Sequence, residues 1–244
     1  MRSYAIQHYD TLDSTNTRAR RLVESGEAPA GLVVVANEQT AGRGQRGAPW
    51  VTVPGASLAA SLVIARPDLP RPSRITLLAA LAAARSLEAL GSQSISIKWP
   101  NDLMRQERKI GGLLVEGVHS PAGEAMLVVG LGVNLSLQPG DLPSSLHSSA
   151  GDAGLPADTL TRDALLMRVL EELDLLLEGV GTKADQAAGE EYRQRSWLRG
   201  RRVCLDWAGN EEHVEIADVT GEGDLILADG RTARGEEVRL IPGL

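Results

Sequence analysis

Ten residues near position 45 combine glycines and arginines in a spacing that could bind an anion. They read AGRGQRGAPW (residues 41–50), with Gly42, Gly44 and Gly47 in the order G-x-G-x-x-G of a dinucleotide-binding turn. Such a turn needs a helix directly after the glycines, whereas the continuation APWVTVPG contains two prolines. We therefore predict a loop that closes over an anionic group through Arg43, Arg46 and backbone N–H groups. A glycine-rich hairpin that binds nothing is the alternative.

Four other segments carry polar side chains that ordinary helix and strand ends would explain one at a time. They are STN at 14–16, KWPND at 98–102, RKIGGLLVE at 108–116 and GLGVN at 130–134. Helix capping, strand termination with an Asx turn, a charged loop tip and a plain strand end are the respective structural explanations. They do not account for Lys98 beside Trp99, or for the joint occurrence of the segments in this order.

The elements that must position these segments alternate between strands and helices. The stretch AIQHYDTLDSTNTRARRLVESG predicts a strand, a turn and a short helix that Asp13 or Ser14 caps and Gly26 ends. β-branched and alternating runs predict further strands in GLVVVANEQ, SLAASLVIA, SISIKW, KIGGLLVEGVH and AMLVVGLGVNLS, the last two paired through SPAGE. Apolar residues at helical spacing predict helices in RITLLAALAAARSLEALG and LTRDALLMRVLEELDLLLEGV. Residues 136–158, rich in Ser, Pro, Gly and Asp, predict a loop.

The pattern changes near Arg199, and this change predicts two domains. Short strands in RRVCLDW, EEHVEIADV, LILAD and VRLI are separated by turns that contain glycine. We therefore expect a mixed α and β domain over residues 1–195 and a small barrel-like β domain over residues 196–244.

The composition excludes several classes of function and several cellular locations. The 244 residues are 43% hydrophobic and 23% charged, and the net charge of −7 argues against non-specific binding to nucleic acid. One cysteine, Cys204, excludes an internal disulfide and a zinc site built from cysteines. The first residues lack the apolar core of a signal peptide, and no apolar run is long enough to span a bilayer. We expect a cytoplasmic protein that engages no membrane.

Taken together, STN, EQTAGRGQRGAPW, KWPND, RKIGGLLVE and GLGVN resemble the biotin protein ligase family in the same order from about residue 10 to 135. The likeness continues more loosely through the helix at 160–178 to the closing GEEVRLI. It implies an α+β fold with a central mixed β-sheet flanked by helices, related to class II aminoacyl-tRNA synthetases, and a small C-terminal SH3-like β-barrel. The chain resembles the monofunctional type, which lacks an N-terminal DNA-binding domain.

The resemblance also implies a two-step reaction and its participants. Biotin attacks the α-phosphate of Mg-ATP to give biotinyl-5′-AMP, and a lysine of a biotin carboxyl carrier protein then takes the biotinyl group. ATP and Mg²⁺ are co-substrates, biotin is a substrate, and no tightly bound prosthetic group is expected. No nucleic acid or membrane partner is expected, and a homodimer is left open.

The residues that the resemblance assigns to this chemistry come from all five segments. Arg43, Lys109 and Asp102 are the catalytic candidates, since two anions must be brought together, and Asp102 is also the candidate Mg²⁺ ligand. The full set of biotin- and adenylate-binding candidates is Ser14, Thr15, Asn16, Gln39, Gly42, Arg43, Gly44, Gln45, Arg46, Gly47, Trp50, Lys98, Asn101, Lys109, Gly111, Gly112, Leu113 and Asn134. Trp50 and Trp99 are expected to wall the biotin ring or to pack beneath the site.

Two departures from the family pattern carry their own expectations. Relatives often have GRGR where this chain has Gln45, so we expect weaker retention of the adenylate. The loop at 136–158 has no aromatic residue, and we expect the adenine to pack on aliphatic side chains there. A lipoate–protein ligase of the same fold and a non-catalytic sensor of biotin or adenylate are the competing interpretations.

Overall fold

A seven-stranded mixed sheet forms the centre of the molecule, with the strand order β1-β2-β3-β7-β6-β5-β4. The computed structural model describes residues 3–65, 71–235 and 237–241. β1 and β2 run parallel, and the other neighbouring pairs are antiparallel. The strands are β1 Ala5–Leu12, β2 Leu32–Gln39, β3 Ser57–Ala65, β4 Ile95–Lys98, β5 Asp102–Arg105, β6 Arg108–His119 and β7 Ala125–Asn134. The predicted mixed sheet and the β6–β7 hairpin are confirmed.

Helices cover both faces of this sheet and begin at the capping residues that their sequences supply. They are α1 Thr15–Glu24, α2 Pro72–Ala89, α3 Thr159–Glu178 and α4 Lys183–Gln194. The Ser14 hydroxyl accepts a hydrogen bond from the N–H of Thr17, which fixes the start of α1 directly beside the STN segment. Helix α4 is an element that the sequence analysis missed, because only three of its twelve residues are buried.

Alternate residues of each strand pack against different helices, as the period of a β-strand requires. In β2, Val33 and Val35 join the core under α2 and α3, whereas Leu32 and Val34 join the smaller core under α1. α1 is short, so part of the sheet face beside its N-terminus is left uncovered. None of the helices in the described ranges combines the length and apolar composition that a bilayer-spanning helix needs.

A second, antiparallel sheet follows α4, in the order β11-β10-β9-β8-β12. Its strands are β8 Arg202–Trp207, β9 Asn210–Val219, β10 Leu225–Leu227, β11 Thr232–Ala233 and β12 Arg239–Leu240. The expected closure into a barrel is not observed among the described residues, since β11 and β12 have two residues each and do not pair. The backbone of Ile97 in β4 hydrogen-bonds to Arg195 and Trp197, which joins the two sheets through their connecting segment.

An ionic cluster holds α2, α3 and α4 together at the β4 edge. Glu191 of α4 accepts hydrogen bonds from Arg85 at 2.6 Å and Arg195 at 2.9 Å, and Arg195 also binds Glu88 of α2 at 2.6 Å. Burial acts to raise the pKa values of Glu88 and Glu191, but hydrogen bonds and charges from these arginines lower them below their usual range. Arg85 extends the cluster to Glu172 of α3.

We predict that Glu191→Gln lowers the free energy of unfolding at neutral pH by about 1 kcal/mol, because two charge-assisted hydrogen bonds weaken. The folded-state pKa of Glu191 is depressed, so its contribution is present above the unfolded value of 4.5 and is lost as the pH falls. The Tm of the variant should therefore fall less steeply with acidification than that of the wild type. Circular dichroism melts between about pH 7 and 3 measure this.

The matched control is Glu190→Gln, an exposed neighbour on the same helix that pairs only with α4 side chains in the described structure. Its Tm should follow the wild-type curve. A Glu191→Gln curve that runs parallel to wild type at every pH would contradict the role given to the cluster.

Candidate functional site

A cleft of about 430 Å³ opens on the α1 face of the sheet, beside the N-terminus of that helix. The segments STN, KWPND and RKIGGLLVE and the glycine loop, far apart in sequence, meet in it. The predicted residues that line it are Ser14, Thr15, Asn16, Gln39, Arg43, Gly44, Trp50, Asn101, Lys109, Gly112 and Leu113. Most of the predicted binding set therefore shares one cavity.

The floor of the cleft is backbone, because β7 carries glycine where its residues face α1. A Cβ at Gly132 would lie 2.6 Å from Cε2 of Trp50, so the indole ring lies directly against the strand. A Cβ at Gly130 would collide with the Asn16 side chain. The glycines of GLGVN therefore leave room for two side chains of the cleft, Asn16 and Trp50, a role beyond that of an ordinary strand end.

A row of hydrogen-bonded polar side chains runs along one wall of the cleft. Gln39 accepts from the backbone N–H of Thr15 at 2.8 Å and donates to the Thr52 hydroxyl at 3.1 Å. The Ser61 hydroxyl lies 2.8 Å from that of Thr15 and donates to Asn16 Oδ1 at 2.5 Å. Thr15, Asn16 and Ser61 are buried, so the row is fixed before any ligand arrives.

Lys109 pairs with a carboxylate on the neighbouring strand. Its Nζ lies 2.6 Å from Asp102 Oδ1 and 6.0 Å from the centroid of the Trp50 ring. The chain of Lys109 passes over Gly112, where an added Cβ would sit 3.4 Å from Lys109 Cε. Gly112 therefore leaves room for the ammonium group of Lys109. Gly111 allows the backbone of β6 to pack closely against the Gly132 carbonyl.

A second cavity, of about 890 Å³, adjoins the first at Trp50 and Lys109. Lys98, Asp102 and Asn134 of the predicted set line it, together with Leu142 and Leu146 of the long loop and Trp197 after α4. Asn134 is itself buried. Its side-chain oxygen accepts a hydrogen bond from the Ser57 hydroxyl, and its side-chain nitrogen donates one to the Gly151 carbonyl. One cation and one indole ring thus stand where the two cavities meet.

The described acceptors leave one donor at this junction unpaired. The Nε1–H of Trp50 is buried and has no hydrogen-bond partner among the described residues. This nitrogen lies against Gly132 of β7 and is closed to a ligand in this structure, so leaving it unpaired costs about 1–3 kcal/mol.

Arg43 is held in place by a carboxylate that the sequence analysis did not single out. Its two terminal nitrogens bind the two oxygens of Glu116 at 2.8 and 2.9 Å. Burial of Glu116 acts to raise the pKa of this carboxyl, but hydrogen bonds from Arg43 and Asn16 and the charges of Arg43 and Arg20 lower it. The arginine at the mouth of the first cavity is therefore paired with an anion of β6.

The rest of the glycine loop points away from both cavities. Neither cavity is lined by four predicted residues of this loop, Gly42, Gln45, Arg46 and Gly47, or by the predicted Gly111 of β6. Arg46 has a left-handed backbone, with φ of 55°, and donates at 2.9 Å to the carbonyl of Val238, the residue directly before β12. Gln45 lies in a third cavity beside Trp99, whose indole is buried in the core and bonds the Gly223 carbonyl. Trp99 therefore packs behind the sheet and does not wall the first cleft.

Several residues at or beside the site escaped the sequence analysis. Glu116 and Ser61, which contact lining residues, are lone polar residues inside apolar strands, and that mismatch is the signal that could have found them. Trp197 and Leu146 carry no such signal, since each follows from how a connecting segment folds back onto β4 or β6.

Comparison with known proteins identifies the family. The sequence model of the biotin/lipoate A/B protein ligase family matches residues 9–134, more than half of the chain. The chain belongs to this family. The resemblance seen in the motifs is thereby confirmed, and the matched residues include both walls of the first cleft.

Two curated relatives and one solved structure illustrate the likeness. The biotin–[acetyl-CoA-carboxylase] ligase of Mycobacterium tuberculosis is 31% identical over 226 residues, which cover 90% of this chain and 82% of the relative. The bifunctional ligase/repressor BirA of Bacillus subtilis is 33% identical over 166 residues, 67% of this chain, which spans about half of that relative (50%). The biotin protein ligase of Aquifex aeolicus in complex with biotin and ATP, 23% identical, superposes with a TM-score of 0.77 over 98% of this chain and 95% of its own, and shares the fold.

We predict that Gly132→Ala destabilises the protein by about 1–3 kcal/mol, because its Cβ would overlap the Trp50 ring in a packed position. The control is Gly117→Ala in β6, where an added Cβ meets no atom within 4 Å. Thermal unfolding followed by circular dichroism compares the two. Equal Tm values for both variants would contradict the close packing of Trp50 on β7.

Proposed function

We propose that this chain activates biotin with ATP to biotinyl-5′-AMP and then transfers biotin to a lysine of a biotin carboxyl carrier protein. The observation that carries the proposal is the meeting of two cavities at Lys109 and Trp50, with Arg43 at the mouth of the first. A reaction between a carboxylate and a nucleotide phosphate brings two anions together, and a cation where their two cavities meet would offset that charge. The names of the relatives, biotin–[acetyl-CoA-carboxylase] ligase and biotin protein ligase, support the same substrates.

The first cleft suits the bicyclic ring of biotin. Its polar row offers the Thr15 hydroxyl, the Gln39 amide and the Asn16 amide to a ureido group, which both donates and accepts hydrogen bonds. Trp50 and Leu114 supply apolar walls for the sulfur-containing ring. The valerate chain would then run toward Lys109 at the junction.

The second cavity suits a nucleotide. Leu142 and Leu146 provide the aliphatic surface expected for an adenine, and Trp197 adds an aromatic side that was not foreseen. Lys98 brings a second cation, with its Nζ 5.0 Å from the centroid of the Trp197 ring. The triphosphate would extend from this cavity toward Lys109.

In the first step, a carboxylate oxygen of biotin attacks the α-phosphorus, and the bond to the β-phosphate breaks as pyrophosphate leaves with the electron pair. Lys109 and Arg43 offset the negative charge of the two reacting anions. In the second step, a lysine amine of the carrier attacks the acyl carbon, AMP leaves, and an amide forms.

Mg²⁺ would be held mainly by the phosphates and by water. Among the described residues, no three His, Cys, Asp or Glu side chains converge to form a ready-made metal site. Mg²⁺ commonly uses one or two protein carboxylates beside substrate phosphates, and Asp102 in the second cavity can supply one. Its Oδ1 is paired with Lys109, so Oδ2 is the oxygen that would meet Mg²⁺ or the amine of the carrier lysine.

We place this activity in the cytoplasm, where the carrier domain of a carboxylase would be the acceptor. The single, buried Cys204 agrees with a reducing compartment.

We further propose that residues 1–195 form a catalytic domain that carries both cavities, and that residues 196–244 form an accessory β domain. Trp197 of the accessory domain also lines the nucleotide cavity.

A lipoate–protein ligase remains the second candidate, because the matched family includes lipoate ligases. The hydrogen-bonding row favours biotin, since lipoate has no ureido group to satisfy it. A non-catalytic sensor would bind biotin or adenylate without turnover, and Lys109 at the junction argues against that alternative.

We predict that the protein catalyses biotin-dependent exchange of pyrophosphate into ATP, and that Lys109→Ala reduces it by at least about a hundredfold, since a donor to developing charge is lost. Lys183→Ala, at an exposed position on α4, is the matched control and should exchange normally. Circular dichroism should give both variants the wild-type fold. Exchange driven by lipoate and not by biotin would overturn the assignment, and near-normal exchange by Lys109→Ala would remove Lys109 from its role.

The expected effect of Gln45 on retention of the adenylate stays a prediction. Gln45 lies in the third cavity, so an arginine there must fold back toward the first to reach a phosphate. We expect Gln45→Arg to slow the release of preformed biotinyl-5′-AMP, measured by filtration or by fluorescence. An unchanged release rate would remove Gln45 from the binding set.

A further inference from the structure

Glu116 occupies a position in β6 that neither cavity uses. It faces the same side of the sheet as Leu114, which lines the cleft, and Val118, which packs under α1. Its side chain is 19% exposed, and it lines neither cavity. A carboxylate in such a place is retained only if its partners compensate for its burial.

The partners of Glu116 come from both ends of the cleft. Oε2 of Glu116 accepts from Asn16 Nδ2 at 2.9 Å and from Arg43 at 2.9 Å, while Oε1 accepts from Arg43 at 2.8 Å. Asn16 is the last member of the polar row that begins at Thr52 and passes through Gln39, Thr15 and Ser61. Glu116 therefore extends this row by one step, from the ring end of the cleft to the arginine at its mouth.

The geometry of the pair leaves Arg43 able to act on a ligand. Glu116 takes one N–H from each terminal nitrogen of the guanidinium, and the remaining N–H donors stay available to an anion. Nη1 of Arg20 lies 3.8 Å from Oε1 of Glu116, and its positive charge favours the ionised form of this carboxylate. A guanidinium on a glycine-rich loop would otherwise have many orientations to lose on binding.

We propose that Glu116 is a positioning residue for the adenylation step: it fixes the guanidinium of Arg43 over the cleft before ATP binds, and it does so from the same hydrogen-bonded row that would meet the ring of biotin. The proposal rests on the proposed function. Glu116 touches no substrate and acts through Arg43.

The pair can be tested with a double-mutant cycle on the full-length protein. The variants are Glu116→Gln, Arg43→Ala and the two combined, assayed by biotin-dependent pyrophosphate exchange. Glu116→Gln should raise the KM for ATP about tenfold, the effect of one charge-assisted hydrogen bond, and alter the KM for biotin less. In the Arg43→Ala background, Glu116→Gln should add no further loss.

Two further variants separate positioning from a general effect on folding. Glu116→Asp keeps the charge with a shorter reach and should recover part of the ATP affinity, and it replaces Glu116→Gln should that variant not fold. Glu212→Gln removes a bidentate pair with Arg231 in the second sheet, remote from both cavities, and should leave the KM for ATP unchanged. Hydrogen exchange of residues 42–50 in the ligand-free protein should be faster in Glu116→Gln than in wild type.

The outcomes distinguish this proposal from the function on which it rests. An unchanged or lowered KM for ATP in Glu116→Gln would overturn the positioning role, and a lowered KM would mean that Glu116 competes with the phosphates. Additive losses in the double variant would also overturn it, because Glu116 would then act independently of Arg43. Failure of the wild-type protein to exchange with biotin would refute the proposed function, while unchanged loop exchange in Glu116→Gln would refute the positioning role alone.

Discussion

The site depends on keeping a row of polar side chains hydrogen-bonded on the buried face of a sheet. Thr15 and Asn16 belong to α1, Gln39 and Ser61 to neighbouring strands, and Glu116 to the hairpin beyond them. A buried polar group without a partner costs about 1–3 kcal/mol, so each member fixes the next. The order of the strands, the short α1 and the glycines of β7 all serve to bring these side chains to hydrogen-bonding distance.

The two arginines of the glycine loop point in opposite directions, and their contacts fix the conformation of the loop. Arg43 turns inward to Glu116, whereas Arg46, three residues later, turns outward to the carbonyl of Val238, directly before β12. The loop is therefore held at two points by guanidinium groups, with Gly44 and Gln45 between them. The C-terminal strands thereby help to define the mouth of the cleft, a contribution that their own sequence does not suggest.

The sequence predicted the sheet and most of the first cleft because those features are local. Strand periodicity and capping residues predicted β1 to β4, β6, β7 and α1, but not the four-residue β5, and the family resemblance assigned Thr15, Gln39 and Lys109 to the site. The role of Glu116 could not be foreseen, since its partner Arg43 is distant in sequence and only loop folding brings them together. The same holds for Arg46, whose direction follows from a left-handed backbone at one residue. Barrel closure failed as a prediction because the two terminal strands are too short to pair.

A crystal structure with a non-hydrolysable analogue of biotinyl-5′-AMP would test most directly whether the two cavities act as one site. We expect the biotin ring beside Thr15 and Gln39, the adenine beside Leu146 and Trp197, and the acyl-phosphate linkage within hydrogen-bonding distance of Lys109. Arg43 should keep its contact with Glu116 while it binds the ligand. An adenine found in the third cavity beside Gln45, or a linkage that leaves Lys109 bound only to Asp102, would contradict this assignment.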